Sequence, residues 1–124
     1  MQLTQHRNQG ELFVRKADAN NVVVVDRTFT RSLVLSADSA MEDFPVREVG
    51  ELDAAAIGTL LDQQPEVVLL GTGTRAIFPK PSVLAEFLKR GVGLETMDNG
   101  AAARTFNVLA GEGRRVVAVF LLPG

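Results

Sequence analysis

The chain has 124 residues, 46% of them apolar and 23% charged, and a formal net charge of -2, so the expectation is one domain, residues 1–124, with about two thirds of the unfolded surface buried. The charge balance lacks the basic excess of a nucleic-acid partner, and the seven aromatics are all Phe with no cluster among the arginines, so no base-stacking platform is expected. Zero cysteines exclude disulfides, thiolate nucleophiles and cysteine metal sites.

The start, MQLTQHRNQGELFVR, has no apolar core of signal-peptide length, and Arg7 alone precedes Arg15. No window carries the run of about 18 apolar residues that a membrane helix needs. A soluble, cytoplasmic chain without membrane insertion is therefore expected. His6, the sole histidine, sits in this polar segment, where an inert exposed role is expected.

ELFVRKA and NNVVVVD read as short strands separated by DANN, whose Asp and Asn tolerate turn geometry. FTRSLVLS reads as one further strand. ADSAMEDFPVREVGE is polar, marked by Pro45 and Gly50, and predicts a loop with a short strand near Val46–Val49. Glu42 and Asp43 in it read as a solvated acidic patch.

From Asp53 onward the rhythm changes. Asp53 caps a predicted helix with Ala54, Ile57, Leu60 and Leu61 on one face, and Pro65 follows its end. Val67–Leu70 is a short apolar run of the kind covered on both faces. Pro81 or Ser82 opens a helix with Leu84, Phe87 and Leu88 on one stripe, closed by Lys89, Arg90 and Gly91. VGLETM is the next strand, DNGAAARTFNVLAG a helix capped by Gly111, and RRVVAVFLL the last strand. This alternation predicts a βαβαβ arrangement around a largely parallel sheet.

Gly71, Gly73 and Ala76 satisfy the G-x-G-x-x-A dinucleotide pattern letter by letter, and Glu95 and Asp98 lie near where a ribose-binding acid would follow. The pattern works only if a helix starts at once and offers its free amides to a pyrophosphate. Pro79 and Pro81 disfavour helical geometry at Phe78 and Lys80, so a loop of about nine residues intervenes. Lys80 is also out of register for a P-loop. The preferred reading is that the glycines serve tight backbone geometry where a buried strand leaves the sheet, and no cofactor is expected. A second reading stays open, a ligand crevice at the carboxyl end of the strand with Thr72, Thr74, Arg75 and Lys80 on its lip and a small anion held by Arg75.

Arg104 and Asn107 share one face of the last helix, apart from the stripe of Ala102, Phe106 and Leu109. Arg104 reads as solvated or ion-paired. If the VGLETM and Val67 strands are neighbours, Arg75, Asp98 and Arg104 could converge. There is no G-x-S-x-G elbow, no metal-ligand spacing and no pointer to a carboxylate pair.

The run LLGTGTRAIFPKPSVLAEFLKRGVGLETMDNGAAARTFNVLAGEGRRVVAVFLLPG resembles a domain family of largely unknown function that includes the mitochondrial respiratory complex I assembly factor 3 and the adipogenesis-associated domain protein. The likeness rests on Gly71–Thr72–Gly73, the proline pair, the GVGLETMDNGAAARTFNVLAGEGR segment and the closing apolar strand. Matching positions are Gly71, Thr72, Gly73, Pro79, Gly91, Arg104, Thr105 and Asn107, with Phe106 where many members have Tyr. The resemblance implies a three-layer α/β fold with a central mixed, mostly parallel sheet, a βαβαβ C-terminal half and a β-rich N-terminal half. It implies no established catalytic activity, and the look of the chain is bacterial.

These readings make Gly71, Thr72, Gly73, Arg75, Pro79, Asp98, Arg104 and Asn107 the candidate ligand- or partner-binding residues. The expectation is a non-enzymatic binding or assembly-factor-like module with a protein partner. The alternatives are a small-anion binder or enzyme in a crevice near residues 71–80 and 99–110, and a subunit that oligomerises through an exposed β edge.

Overall fold

A computed structural model describes residues 11–124, which form two sheets and three helices; His6 and Arg7 lie outside the described residues. The first strands, β1 (Val14–Ala17), β2 (Val22–Val24) and β3 (Arg27–Phe29), form an antiparallel ribbon in that order. Asp18 turns the chain between β1 and β2 by accepting the Asn20 and Asn21 amides, each at 2.8 Å. Val25 and Asp26 make the next turn, with Val25 in the left-handed region at φ 54°, so the second strand is shorter than the valine run suggests.

FTRSLVLS is not one strand. Phe29 ends β3, and after Thr30 the chain enters β4 (Arg31–Leu35) in the other sheet. The short hairpin turn commits Arg27–Phe29 to β2, while the apolar run of Leu33–Leu35 belongs in the main core. The polar stretch contains β5 (Ala40–Glu42), paired antiparallel with β4. The strand expected near Val46–Val49 is replaced by a 3-10 turn at Val49–Glu51, because the Glu51 carboxylate turns back to accept the Arg47 and Glu48 amides. Glu42 and Asp43 are exposed but paired, with Arg27 at 3.1 Å and Arg31 at 2.5 Å.

The second half alternates as expected: α1 (Ala54–Leu61), β6 (Val67–Gly71), α2 (Pro81–Lys89), β7 (Gly93–Met97), α3 (Asn99–Gly111) and β8 (Val116–Pro123). Asp53 caps α1 by accepting the Ala56 amide at 2.9 Å, and α1 buries Ala56, Ile57, Leu60 and Leu61, with Ala54 outside that face. Pro81 opens α2, where its missing N–H costs no hydrogen bond. Of the predicted α2 stripe only Phe87 is buried; Leu84 is half-buried, Val83 packs inward beside it, and Leu88 is 71% exposed. The glycine that relaxes the end of α3 is Gly113 (φ 79°), two residues beyond the predicted Gly111, which is still helical.

The five-stranded sheet has the order β5-β4-β8-β6-β7 and is mixed: β6 pairs in parallel with β7 and β8, while β4 pairs antiparallel with β5 and β8. The register slips between Arg31 and Leu33, where the buried Ser32 hydroxyl accepts the Leu122 amide at 2.9 Å. One face of this sheet, with Leu33, Leu69 and Phe120, packs on α3 and the ribbon; the other, with Val34, Leu70 and Val119, packs on α1 and α2. The result is a three-layer α/β fold. Leu69, Ala118 and Phe120 are fully buried, as central strands covered on both faces must be.

Candidate functional site

The parallel pairing sets Gly71 opposite Met97 at the carboxyl end of β6 and β7. The chain there is held by hydrogen bonds between the two strand exits. The Thr72 amide donates to the Met97 carbonyl at 3.0 Å, the Asn99 amide to the Gly73 carbonyl at 2.9 Å, and the Gly73 amide to Asn99 Oδ1 at 3.2 Å. Asn99 Nδ2 donates to the carbonyls of Asp18 at 2.9 Å and Leu121 at 3.3 Å. Asn99 is fully buried, and its one amide group ties the exit loop, the ribbon turn and β8 together.

This explains two of the glycines. A Cβ on Gly71 would run into Asn99 Oδ1 and approach the Val119 carbonyl and Ala102. Gly73 sits at φ 98°, where side chains other than hydrogen are strained. No helix begins after them. Residues 72–80 form a loop instead, because the Thr72 hydroxyl donates to the Arg75 carbonyl at 2.5 Å and accepts the Ile77 amide at 2.9 Å, folding the chain over itself. Pro79 is buried as an anchor, while Ile77 is 45% and Phe78 73% exposed. Two large apolar side chains are thus presented to solvent on a backbone fixed at both ends.

Of the polar candidates only Arg75 shares the loop with that tip. The Asp98 carboxylate caps α3 by accepting the Ala101 amide at 2.8 Å. Arg104 is exposed on α3, its Nη1 lying near Gly100 in the first turn. Among the described residues no hydrogen bond or ion pair joins Arg75, also exposed, to Asp98 or Arg104. Asn107 brackets Val14, its Oδ1 accepting the Val14 amide at 2.9 Å and its Nδ2 donating to the Val14 carbonyl at 2.8 Å, so it clips the ribbon to α3. Glu95 is exposed on β7, and no buried side-chain polar atom of the described residues lacks a partner. No group of three or more His, Cys, Asp or Glu among them could hold a metal.

The sequence pattern places Asn99 in the DNGAAARTFNVLAG helix with no role, and assigns none to Ile77 or Phe78. The proline pair was the available signal for Phe78, since the residue before Pro79 is held extended and out of a helix.

Fold and site together define a small α/β protein with a mixed central sheet, a self-satisfied polar interior and an apolar loop at the carboxyl edge of its parallel strands. The chain belongs to the family described as protein of unknown function (DUF498/DUF598), whose model matches residues 14–121. A Xanthomonas campestris protein solved by NMR is similar, with 43% identity and a TM-score of 0.84 over 98% of this chain and 92% of that one. The chain is 39% identical over 72 residues to NADH dehydrogenase (ubiquinone) 1 alpha subcomplex assembly factor 3 of Danio rerio, which covers 58% of this chain and 41% of that protein. It therefore spans about two fifths of that relative's length. It is also 22% identical over 122 residues, 98% of this chain and 99% of the relative, to a Francisella tularensis protein named 13 kDa major membrane protein. No helix among the described residues is long and apolar enough to cross a membrane.

Proposed function

We propose that the protein is a non-enzymatic protein-binding module that works in the cytoplasm like an assembly factor, and that the 72–80 loop is its contact face. The observation that carries this reading is the rigid display of Ile77 and Phe78, 45% and 73% exposed on a loop whose backbone is held by Thr72, Asn99 and Pro79. Exposing a Phe on an ordered loop forgoes the benefit of burying it, which is recovered when a partner covers it. A pre-ordered aromatic also loses little entropy on binding, which favours its role as an anchor. The similarity to a respiratory complex I assembly factor supports a client among the subunits or assembly intermediates of that complex.

Affinity capture from native lysate tests the reading, with wild type beside Phe78→Ser. Wild type is expected to enrich respiratory-complex subunits and Phe78→Ser to lose them. Equal recovery by both, with the variant folded, would overturn the assignment of the loop as the contact face.

A further inference from the structure

Two clefts open on the helical side of the sheet next to the loop. One, of about 300 Å³, lies between the Val49–Leu52 segment and Phe78. The other, of about 360 Å³, lies between α1 and α2. They share Leu52, Ser82 and Val83, so they form one groove running from the loop tip between the two helices.

Two glycines line this groove, Gly50 in the 3-10 turn and Gly58 in the middle of α1. Neither has the positive φ that would require glycine, and a Cβ built on either meets no atom within 4 Å. Glycine inside a helix is less stable than alanine. Nothing among the described residues requires the bare backbone of Gly58, and what it provides is room above the groove floor. Close approach of a second helix is the use that a bare helix position serves, since helix axes come nearest where side chains are smallest.

The charges around the groove are asymmetric. Of the residues that line it, the one acid, Glu86, is paired with Lys89 at 3.2 Å, while Glu51 and Asp53 nearby accept backbone amides and keep their charge. Its cations Lys80 and Arg90, one lining each cleft, take part in no ion pair among the described residues.

We propose that the groove seats an acidic amphipathic helix of the partner protein, with its apolar stripe on Phe78 and Val83, its closest approach at Gly58, and its carboxylates toward Lys80 and Arg90. This rests on the protein-binding reading above and names the chemistry of the partner. An amphipathic helix in an apolar groove is a recurring recognition mode, and the uncommitted cations set its charge preference.

The test titrates the isotope-labelled full chain with a designed peptide of about 14 residues, roughly four helical turns, carrying a leucine stripe and glutamates elsewhere. A second peptide keeps the stripe and replaces the glutamates with lysines. The acidic peptide is expected to shift the amides of Ile57, Gly58, Phe78 and Val83 and to bind about tenfold more tightly than the lysine version, with the gap closing at high salt. Gly58→Ala is expected to raise the melting temperature while weakening the acidic peptide about fivefold. That opposition of stability and binding separates a docking role from a structural one. Shifts elsewhere, equal binding of both peptides, or unchanged binding by Gly58→Ala would overturn the proposal. So would the same shifts on concentrating the protein alone, which would assign the groove to a second copy. If these results go against the helix while capture still depends on Phe78, only the partner chemistry is refuted. If the peptides behave as expected while capture ignores Phe78, the groove stands and the assembly reading falls.

Discussion

Asn99 shows how much one side chain can organise. It has no solvent exposure, and its side-chain amide bonds Gly73, Asp18 and Leu121, residues from three separate parts of the chain. Asn99→Ala leaves a buried N–H and two carbonyls without these partners, so a loss of about 2–4 kcal/mol is expected in urea denaturation; a loss under about 1 kcal/mol would contradict the role. Gly71→Ala should also destabilise, because its Cβ meets the same Oδ1 with backbone on the other side. Phe78→Ser removes a side chain that packs on little, so the urea midpoint should stay within the equivalent of about 0.5 kcal/mol of wild type. The importance of Gly71 was legible in the sequence but its reason was not. The letters matched a phosphate-binding pattern, whereas the space left by the absent side chain is filled by an asparagine 28 positions on. A contact at that separation has no local signature.

At the scale of elements, the ribbon buries Val14, Val22, Val24 and Phe29 in the core it shares with α3 and the sheet, and a few polar links fix it there. Asn107 clips β1 to α3, Asn99 holds the Asp18 turn, and Arg27 spans from the face of the Phe29 ring, 4.5 Å from its centroid, to Glu42 of β5. Asn107→Ala should therefore loosen β1–β3 first. In native-state hydrogen exchange the amides of β1 and β2 should lose protection by about tenfold or more while those of β6 and β8 hold; uniform loss would contradict this division. The elements most legible in the sequence were those of the C-terminal half, because Asp53, Pro81 and the apolar run at Val67 each act locally. The N-terminal half was legible only as β-rich. Whether Phe29 and Leu33 share a strand depends on which sheet has room for each, and β5 exists because β4 offers it an edge rather than because Ala40–Glu42 favours a strand.

For the whole molecule, pH dependence follows from the carboxylates at its turns. Glu66 is held below its ordinary range by the Arg115 amide and then by the Arg114 guanidinium, Glu51 by the Arg47 and Glu48 amides, and Asp18 by those of Asn20 and Asn21. A carboxylate depressed in the folded state contributes stability above its unfolded pKa and loses it as pH falls through the folded one. The urea midpoint should thus be flat from neutral pH to about 5 and fall below it, with Glu66→Gln less stable at neutral pH and its acid decline shallower. A midpoint that rises on acidification would contradict the sign. Layer order and the mixed sheet were within reach of the resemblance, and the interior they enclose leaves no buried side-chain polar atom unpartnered among the described residues. Facing outward on the 72–80 loop are Ile77 and Phe78, with the groove on one side; Arg75 is exposed on the same loop and Arg104 on α3.

The central claim is that the Ile77–Phe78 tip of the 72–80 loop, and neither Arg75 on the same loop nor Arg104, makes the contact. The most direct measurement is capture from native lysate by three baits side by side: wild type, Phe78→Ser, and Arg75→Ala with Arg104→Ala. The account predicts that wild type and the double arginine variant recover the same respiratory-complex subunits, and that Phe78→Ser recovers none. Loss by the arginine variant alone, with a small anion retained by wild type in native mass spectrometry, would contradict it.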